Sequence, residues 1–114
     1  MGEMKALAAN AAAFSGPDRD MNMSILLALG WYLRDFVAYT PEGNRATVIP
    51  DYLGSLDAAC ALVPEGHNWH LISEGSASMS DGEGMVFTAF DCATPAIALT
   101  VAALRARAAK DTHP

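Results

Sequence analysis

The fold is decided by the stretch TPAIALTVAALRARAAK, residues 94–110, which has the pattern of a regular helix. Thr94 is a natural N-cap, and Pro95 stands at the first helical position, where its missing N–H breaks no hydrogen bond. Positive charge near the other end is favoured by the helix dipole and comes from Arg105, Arg107 and Lys110. The apolar stripe consists of Ile97, Val101, Leu104 and Ala108. We therefore expect one face of this helix to be buried.

Two strand-like segments precede this helix. Residues 67–74 alternate, with Trp69 on one side and His70 on the other, and residues 85–91 form the second segment. Residues 75–84 are rich in Gly, Ser and Asp and predict a loop. A ten-residue loop is too short for a helical crossover, so the two strands are expected to be antiparallel neighbours joined by a long hairpin connection.

The N-terminal half predicts two helices and a hairpin. Apolar residues recur with the helical period in residues 3–14, and Asp18 can cap a second helix that ends near Leu29. Residues 31–40 favour a strand, residues 41–44 form a turn, and residues 45–49 can pair back on the first strand. Ser55 is the expected N-cap of a short helix over residues 56–63.

This order of elements predicts an α+β fold, in which helices pack on a small antiparallel sheet. A length of 114 residues suits a single compact domain over residues 1–114, with a frayed tail at 111–114. Hydrophobic residues make up 52% of the chain and charged residues 18%, a composition that excludes an intrinsically disordered tail.

Charge is distributed unevenly. The formal net charge is −6, which disfavours direct binding to nucleic acid. No Lys or Arg occurs between residues 46 and 104. The acidic surface predicted within this stretch comprises Asp51, Asp57, Glu65, Glu74, Asp81 and Glu83. Such a surface either serves solubility or docks a basic partner by electrostatic complementarity.

Targeting signals are not recognisable in this sequence. Two cysteines do not form a disulfide framework, and no stretch reaches the roughly 18 apolar residues of a membrane span. The N-terminus lacks the pattern of a signal peptide. We expect a cytoplasmic protein with reduced thiols and no contact with membranes.

Three sequence pieces resemble a known family. They are GPDR at residues 16–19, YLGSLDAA with LVPEG at residues 52–66, and ATPAIAL with AALRAR at residues 93–107. Together they resemble the phage ABA sandwich domain family, small proteins of phages and prophages. The resemblance implies an α/β/α sandwich and a phage or prophage origin, with the host cell cytosol as the location. It implies no reaction and no catalytic residues.

Candidate chemistry is weak. His67 and His70 suggest a metal site with Cys60, Cys92 or Asp91, but residues three apart on a strand point to opposite faces. Cys60 falls on the apolar face of its helix and is expected in the core. The Gly-rich stretch at 75–84 lacks an adjacent basic residue that would favour phosphate. We therefore expect no catalytic residue, no metal and no cofactor.

A concentration of aromatic and arginine side chains is the predicted partner-binding site. It comprises Trp31, Tyr32, Arg34, Phe36, Tyr39 and Arg45. These residues suit packing within a hairpin, but they are also the types favoured at protein interfaces. A contact between copies of this chain, giving a homo-oligomer, is the simplest version.

The hypothesis for function is a non-enzymatic phage accessory protein that binds a host or phage protein, for example as a counter-defence inhibitor. One alternative is a protein that binds or sequesters a nucleotide signal, for which the only plausible lining is Trp31, Tyr39, Arg34, Arg45 and Arg105. A second alternative is a component of the virion or of its assembly.

Overall fold

The computed structural model describes residues 2–14, 16, 18–34, 37–46, 50–81 and 83–111. Within these ranges it is a compact single-domain α+β fold with four helices and two antiparallel sheets, which confirms the predicted fold class. The helices are α1 Gly2–Ala11, α2 Arg19–Ala28, α3 Leu56–Cys60 and α4 Pro95–Asp111. The strands are β1 Tyr32–Arg34, β2 Val37–Tyr39, β3 Asn68–Ser73, β4 Ser76–Ser80 and β5 Val86–Ala89. Of the predicted frayed tail, Asp111 ends α4 and residues 112–114 lie outside the described residues.

Capping residues define where the helices begin. The side chains of Asp18 and Ser55 accept hydrogen bonds from the backbone N–H groups of Met21 and Ala58, at 2.8 Å and 3.3 Å. Thr94 Oγ1 accepts from the N–H of Ile97 at 3.2 Å. These three N-caps are confirmed, because each oxygen satisfies a donor that the first helical turn leaves unpaired. Helix α3 ends at Cys60, which is earlier than residue 63.

Helix α4 lies at the centre of the molecule. All nine residues from 96 to 104 are buried, so the predicted apolar stripe is confirmed but covers only part of the buried surface. The helix contacts the strands β3, β4 and β5, and it also contacts α1 and α3. The layers are therefore the three-stranded sheet, then α4, then α1 and α3. A helix that is apolar on every side is stable only when it is covered on every side.

The predicted loop at residues 75–84 is wrong, because it contains β4, the central strand of the three-stranded sheet. Met79 of β4 pairs with Trp69 of β3 and with Phe87 of β5. The predicted strands around β3 and β5 therefore exist but are not neighbours. Each is antiparallel to β4, so they run parallel to each other. The Gly and Ser content of this stretch is typical of a loop, but Ala77 and Met79 are buried at alternate positions, as in a strand.

The two faces of this sheet differ in burial. The row Trp69, Met79 and Phe87 packs with the core on the side of α4. Side chains left exposed on this sheet include Ile72 and Val86, at 52% and 58%. Helix α4, which contacts all three strands, thus shields one face of the sheet more fully than the other.

The first predicted hairpin is only partly correct. Residues 31–40 do not form one strand, because β1 and β2 pair with each other, Tyr32 opposite Tyr39. The turn at residues 41–44 is present, with Gly43 at φ +92°, and Tyr39 bridges to Arg45 beyond it. The rest of the predicted pairing, at residues 47–49, lies outside the described residues. The two short strands are antiparallel, and Arg34 at the end of β1 pairs with Val37 at the start of β2.

No helix within the described residues is long and apolar enough to cross a membrane.

Candidate functional site

The predicted partner-binding residues lie largely on the segment that contains β1, β2 and the turn after them. We name the described residues 31–34 and 37–46 the aromatic hairpin. Tyr32 and Tyr39 are directly opposite in the register, and their rings stack with centroids 5.3 Å apart and planes inclined by 12°. Such a cross-strand pair stabilises the hairpin by a few tenths of a kcal/mol to about 1 kcal/mol.

The aromatic hairpin leaves much of its apolar surface in solvent. Tyr32 is 43% exposed and Leu33 is 51% exposed, and the two side chains point to opposite faces of β1. Arg34 and Arg45 are also exposed. The surface therefore combines aromatic, aliphatic and guanidinium groups, which are characteristic of protein interfaces.

Two residues of the predicted partner-binding site are not shown to be exposed on the aromatic hairpin. Trp31 is half-buried and packs against the core, so it anchors the hairpin to the body of the protein. Phe36 lies outside the described residues. Sequence reasoning missed Leu33, and also Leu27 of α2, which is 47% exposed. An apolar side chain predicts burial by default, so exposure of these leucines could not be read from the sequence.

The acidic residues do not behave as one set. Asp51 has a structural role: its Oδ1 accepts hydrogen bonds from Asn22 Nδ2 at 2.8 Å and from the N–H of Gly54 at 3.0 Å. Asn22 Oδ1 in turn accepts from the N–H of Leu53 at 3.2 Å, which ties α2 to the segment before α3. The exposed members of the predicted acidic surface are Asp57, Glu65, Glu74 and Glu83.

Asp81 is the remaining acidic residue and is partly buried. Its Oδ1 accepts hydrogen bonds from the N–H groups of Glu83 and Met85, at 2.7 Å and 3.1 Å. The carboxylate thus holds the turn that leads into β5.

A cavity of about 320 Å³ lies beside Asp81. It is lined by His67, Asp81, Glu83, Met85, Phe87, Ala106 and Ala109. We name it the acidic cavity. The rings of His67 and Phe87 lie in it with centroids 6.4 Å apart and planes inclined by 34°. The lining residues come from strands and a helix that are far apart in the sequence, so no local sequence motif predicts this cavity.

A second cavity, of about 510 Å³, lies between the first two helices. It is lined by Asn10, Ala13, Phe14, Asp18, Asp20, Met21 and Ser24. Neither cavity includes the aromatic and arginine residues of the nucleotide hypothesis. Arg105, one of those residues, instead donates a hydrogen bond to the carbonyl oxygen of Thr88 on β5.

Metal-binding geometry is not found among the described residues, since no three His, Cys, Asp or Glu side chains are grouped to hold an ion. His67 lines the acidic cavity, whereas His70 is exposed on β3. The sequence-based hypothesis of a site that joins these histidines with the cysteines thus has no geometric support in the ranges described.

The two thiols are free. Burial raises the pKa of the Cys92 thiol, and Asp91 raises it further, while Arg105 acts in the opposite direction. Desolvation also raises the pKa of Cys60, with a smaller contribution from Asp57. A raised pKa reduces the thiolate fraction, which is the form that acts as a nucleophile or binds a metal.

The thiol of Cys92 gives a prediction about pH. Its pKa in the folded protein lies above the ordinary value of 9.0, so its contribution to stability is present below that value and is lost as pH rises through the folded pKa. We expect the free energy of unfolding to fall above about pH 9. Urea denaturation at increasing pH measures this, and Cys92→Ala should reduce the fall. An unchanged slope in that variant would contradict the assignment, with other titrating groups such as Tyr52 remaining as the cause.

No family model, curated protein or solved structure matches this chain. The family resemblance of the sequence pieces therefore remains a prediction.

Proposed function

We propose that this protein acts without catalysis by binding a protein partner through the aromatic hairpin. The observation that carries the proposal is the exposure of Tyr32 and Leu33 on a two-stranded sheet. A hairpin of two strands is marginally stable by itself, and large apolar groups in solvent do not help it to fold. A partner that covers them gains the free energy of their burial, about 25 cal/mol for each Å² removed from water.

Charge on the hairpin supports partner binding further. Arg34 and Arg45 are exposed next to the tyrosine pair, and aromatic residues with arginine dominate the energetic centres of interfaces. Exposed charges also guide association and make its rate depend on salt. Capture of the partner should consequently weaken at high ionic strength.

The phage resemblance supports a biological setting for this activity. In that setting the protein is an accessory protein in the host cytosol, and stoichiometric binding makes it an inhibitor, for example of a host defence protein. The nucleotide alternative has less support, because both described cavities are lined by carboxylates, which repel phosphate.

Exchange of hairpin side chains tests the proposal. The immobilised protein is used to capture partners from a lysate of the bacterial host, at low and high salt, and bound proteins are quantified by mass spectrometry. Leu33→Ser alone should weaken capture by roughly 30-fold, since truncating a central interface residue costs about 2 kcal/mol. Adding Tyr32→Ser should weaken capture further. Arg34→Ala leaves the tyrosine stack in place and should also weaken capture.

Val86→Ser is the matched control, because Val86 is 58% exposed but lies on β5. It should retain the partner. Equal loss in this control, or full capture by the hairpin variants, would count against the aromatic hairpin as the binding surface.

A further inference from the structure

We infer that the acidic cavity is a second binding site, which receives an arginine side chain of a protein partner. The inference rests on the proposal that this protein binds another protein, and goes beyond it by naming a separate site and the chemistry of its ligand. The site differs from the aromatic hairpin in every lining residue.

The walls of the acidic cavity suit the apolar stem of a long cationic side chain. One wall is formed by Phe87 of β5 and by Met85, the residue before this strand. The other wall is formed by Ala106 and Ala109 of α4. Because the two alanine side chains are small, they leave space beside α4, and the cavity has a volume of about 320 Å³. Arginine places its methylene groups along apolar surface while its charged end stays near water.

The rim of the acidic cavity suits a positive charge. Asp81 is held in place by two backbone N–H groups, both bonded to Oδ1, and no described residue hydrogen bonds to Oδ2. Glu83 is exposed beside it. The base that precedes Ala106 of the α4 wall is Arg105, and its guanidinium donates to the carbonyl oxygen of Thr88. A fixed carboxylate needs little reorganisation when a cation binds.

A guanidinium group matches this arrangement better than a bare ion. His67, Asp81 and Glu83 do not form a group that could hold a metal, so a single small ion is not served by them together. A planar guanidinium spreads its charge and its five N–H donors over a larger distance, and it can bind a carboxylate in a bidentate manner. The tilted rings of His67 and Phe87 supply faces on which it can stack.

A small probe tests this inference without any partner. The ¹⁵N-labelled protein is titrated with N-acetyl-arginine-methylamide and observed by NMR, and N-acetyl-citrulline-methylamide serves as the uncharged probe of nearly the same shape. We expect saturable shifts at the amides of His67, Asp81 and Phe87 with the arginine probe. The citrulline probe should bind about tenfold more weakly or not at all, since a hydrogen bond between charged groups is worth more than a neutral one.

Variants locate the charge. Asp81→Asn retains the oxygen that accepts the two backbone N–H groups, so the turn should persist. Combined with Glu83→Gln, it should weaken binding of the arginine probe by about tenfold. Asp57→Asn with Glu74→Gln removes the same charge from exposed positions elsewhere and should leave the affinity unchanged.

Equal binding of both probes, or equal weakening in the two double variants, would overturn the inference. Loss of partner capture in the hairpin variants with no shift from the arginine probe would overturn the cavity site alone. Saturable binding of the probe with no captured protein would instead overturn the proposed function.

Discussion

Replacement of Leu99 by alanine is expected to lower the free energy of unfolding by about 3 kcal/mol. Leu99 is fully buried on α4, yet it lies about 200° around the helix from Ile97 and from Val101 of the apolar stripe. A helix with one solvent-facing side would lose little there. The large effect follows because α4 is covered by the sheet on one side and by α1 and α3 on the other.

Urea denaturation of the variant measures this loss. Leu27→Ala is the matched control, because Leu27 is also helical but is 47% exposed, and its cost should stay below about 1 kcal/mol. Leu104→Ala, from the predicted stripe, should cost as much as Leu99→Ala. If Leu99→Ala were no worse than Leu27→Ala, the central position of α4 would be wrong.

Gly75→Ala is expected to be similarly damaging, at about 3 kcal/mol, although it adds a single methyl group. A Cβ at residue 75 would lie 2.1 Å from the carbonyl oxygen of Cys92 and 3.3 Å from its nitrogen. Both atoms belong to the backbone, so no side chain can rotate away. Moving that backbone would also break the hydrogen bond at 2.9 Å from the N–H of Cys92 to the carbonyl oxygen of Gly75.

Thermal unfolding followed by circular dichroism measures the effect of this variant. We expect the midpoint to fall by about 10 °C or more. Gly16→Ala is the control, because no described residue other than its chain neighbours has an atom within 4 Å of a Cβ at that position, and it should change the midpoint by little. A Gly75→Ala protein with an unchanged midpoint would mean that the segment joining β3 and β4 does not approach Cys92 so closely.

Local interactions explain which elements could be predicted from the sequence. The N-caps at Asp18, Ser55 and Thr94 act on residues only three positions away, so the residue types are sufficient evidence for them. The helical period of apolar residues is local in the same way. Strand β4 has a local signal too, the alternation of Ala77 and Met79 with serines, but the glycine and serine content of its surroundings favoured a loop.

The candidate sites could be predicted less well than the helices. The aromatic residues of the hairpin are evident in the sequence, but whether Tyr32 is exposed and Trp31 is packed depends on where the core lies. The acidic cavity joins His67 to residues of β5 and α4, which are about 20 to 40 positions away along the chain. Without a known motif, the sequence does not indicate that residues so far apart lie side by side in the folded protein.

The amino-acid sequence by itself determined the α+β class and the starting points of three helices, at Asp18, Ser55 and Thr94, because capping and helical periodicity act between residues a few positions apart. Only the tertiary structure decided that α4 is central, that β4 separates β3 from β5, and that Leu33 faces solvent. Burial and strand pairing depend on contacts between distant segments, and the free energy of those contacts outweighs local preference.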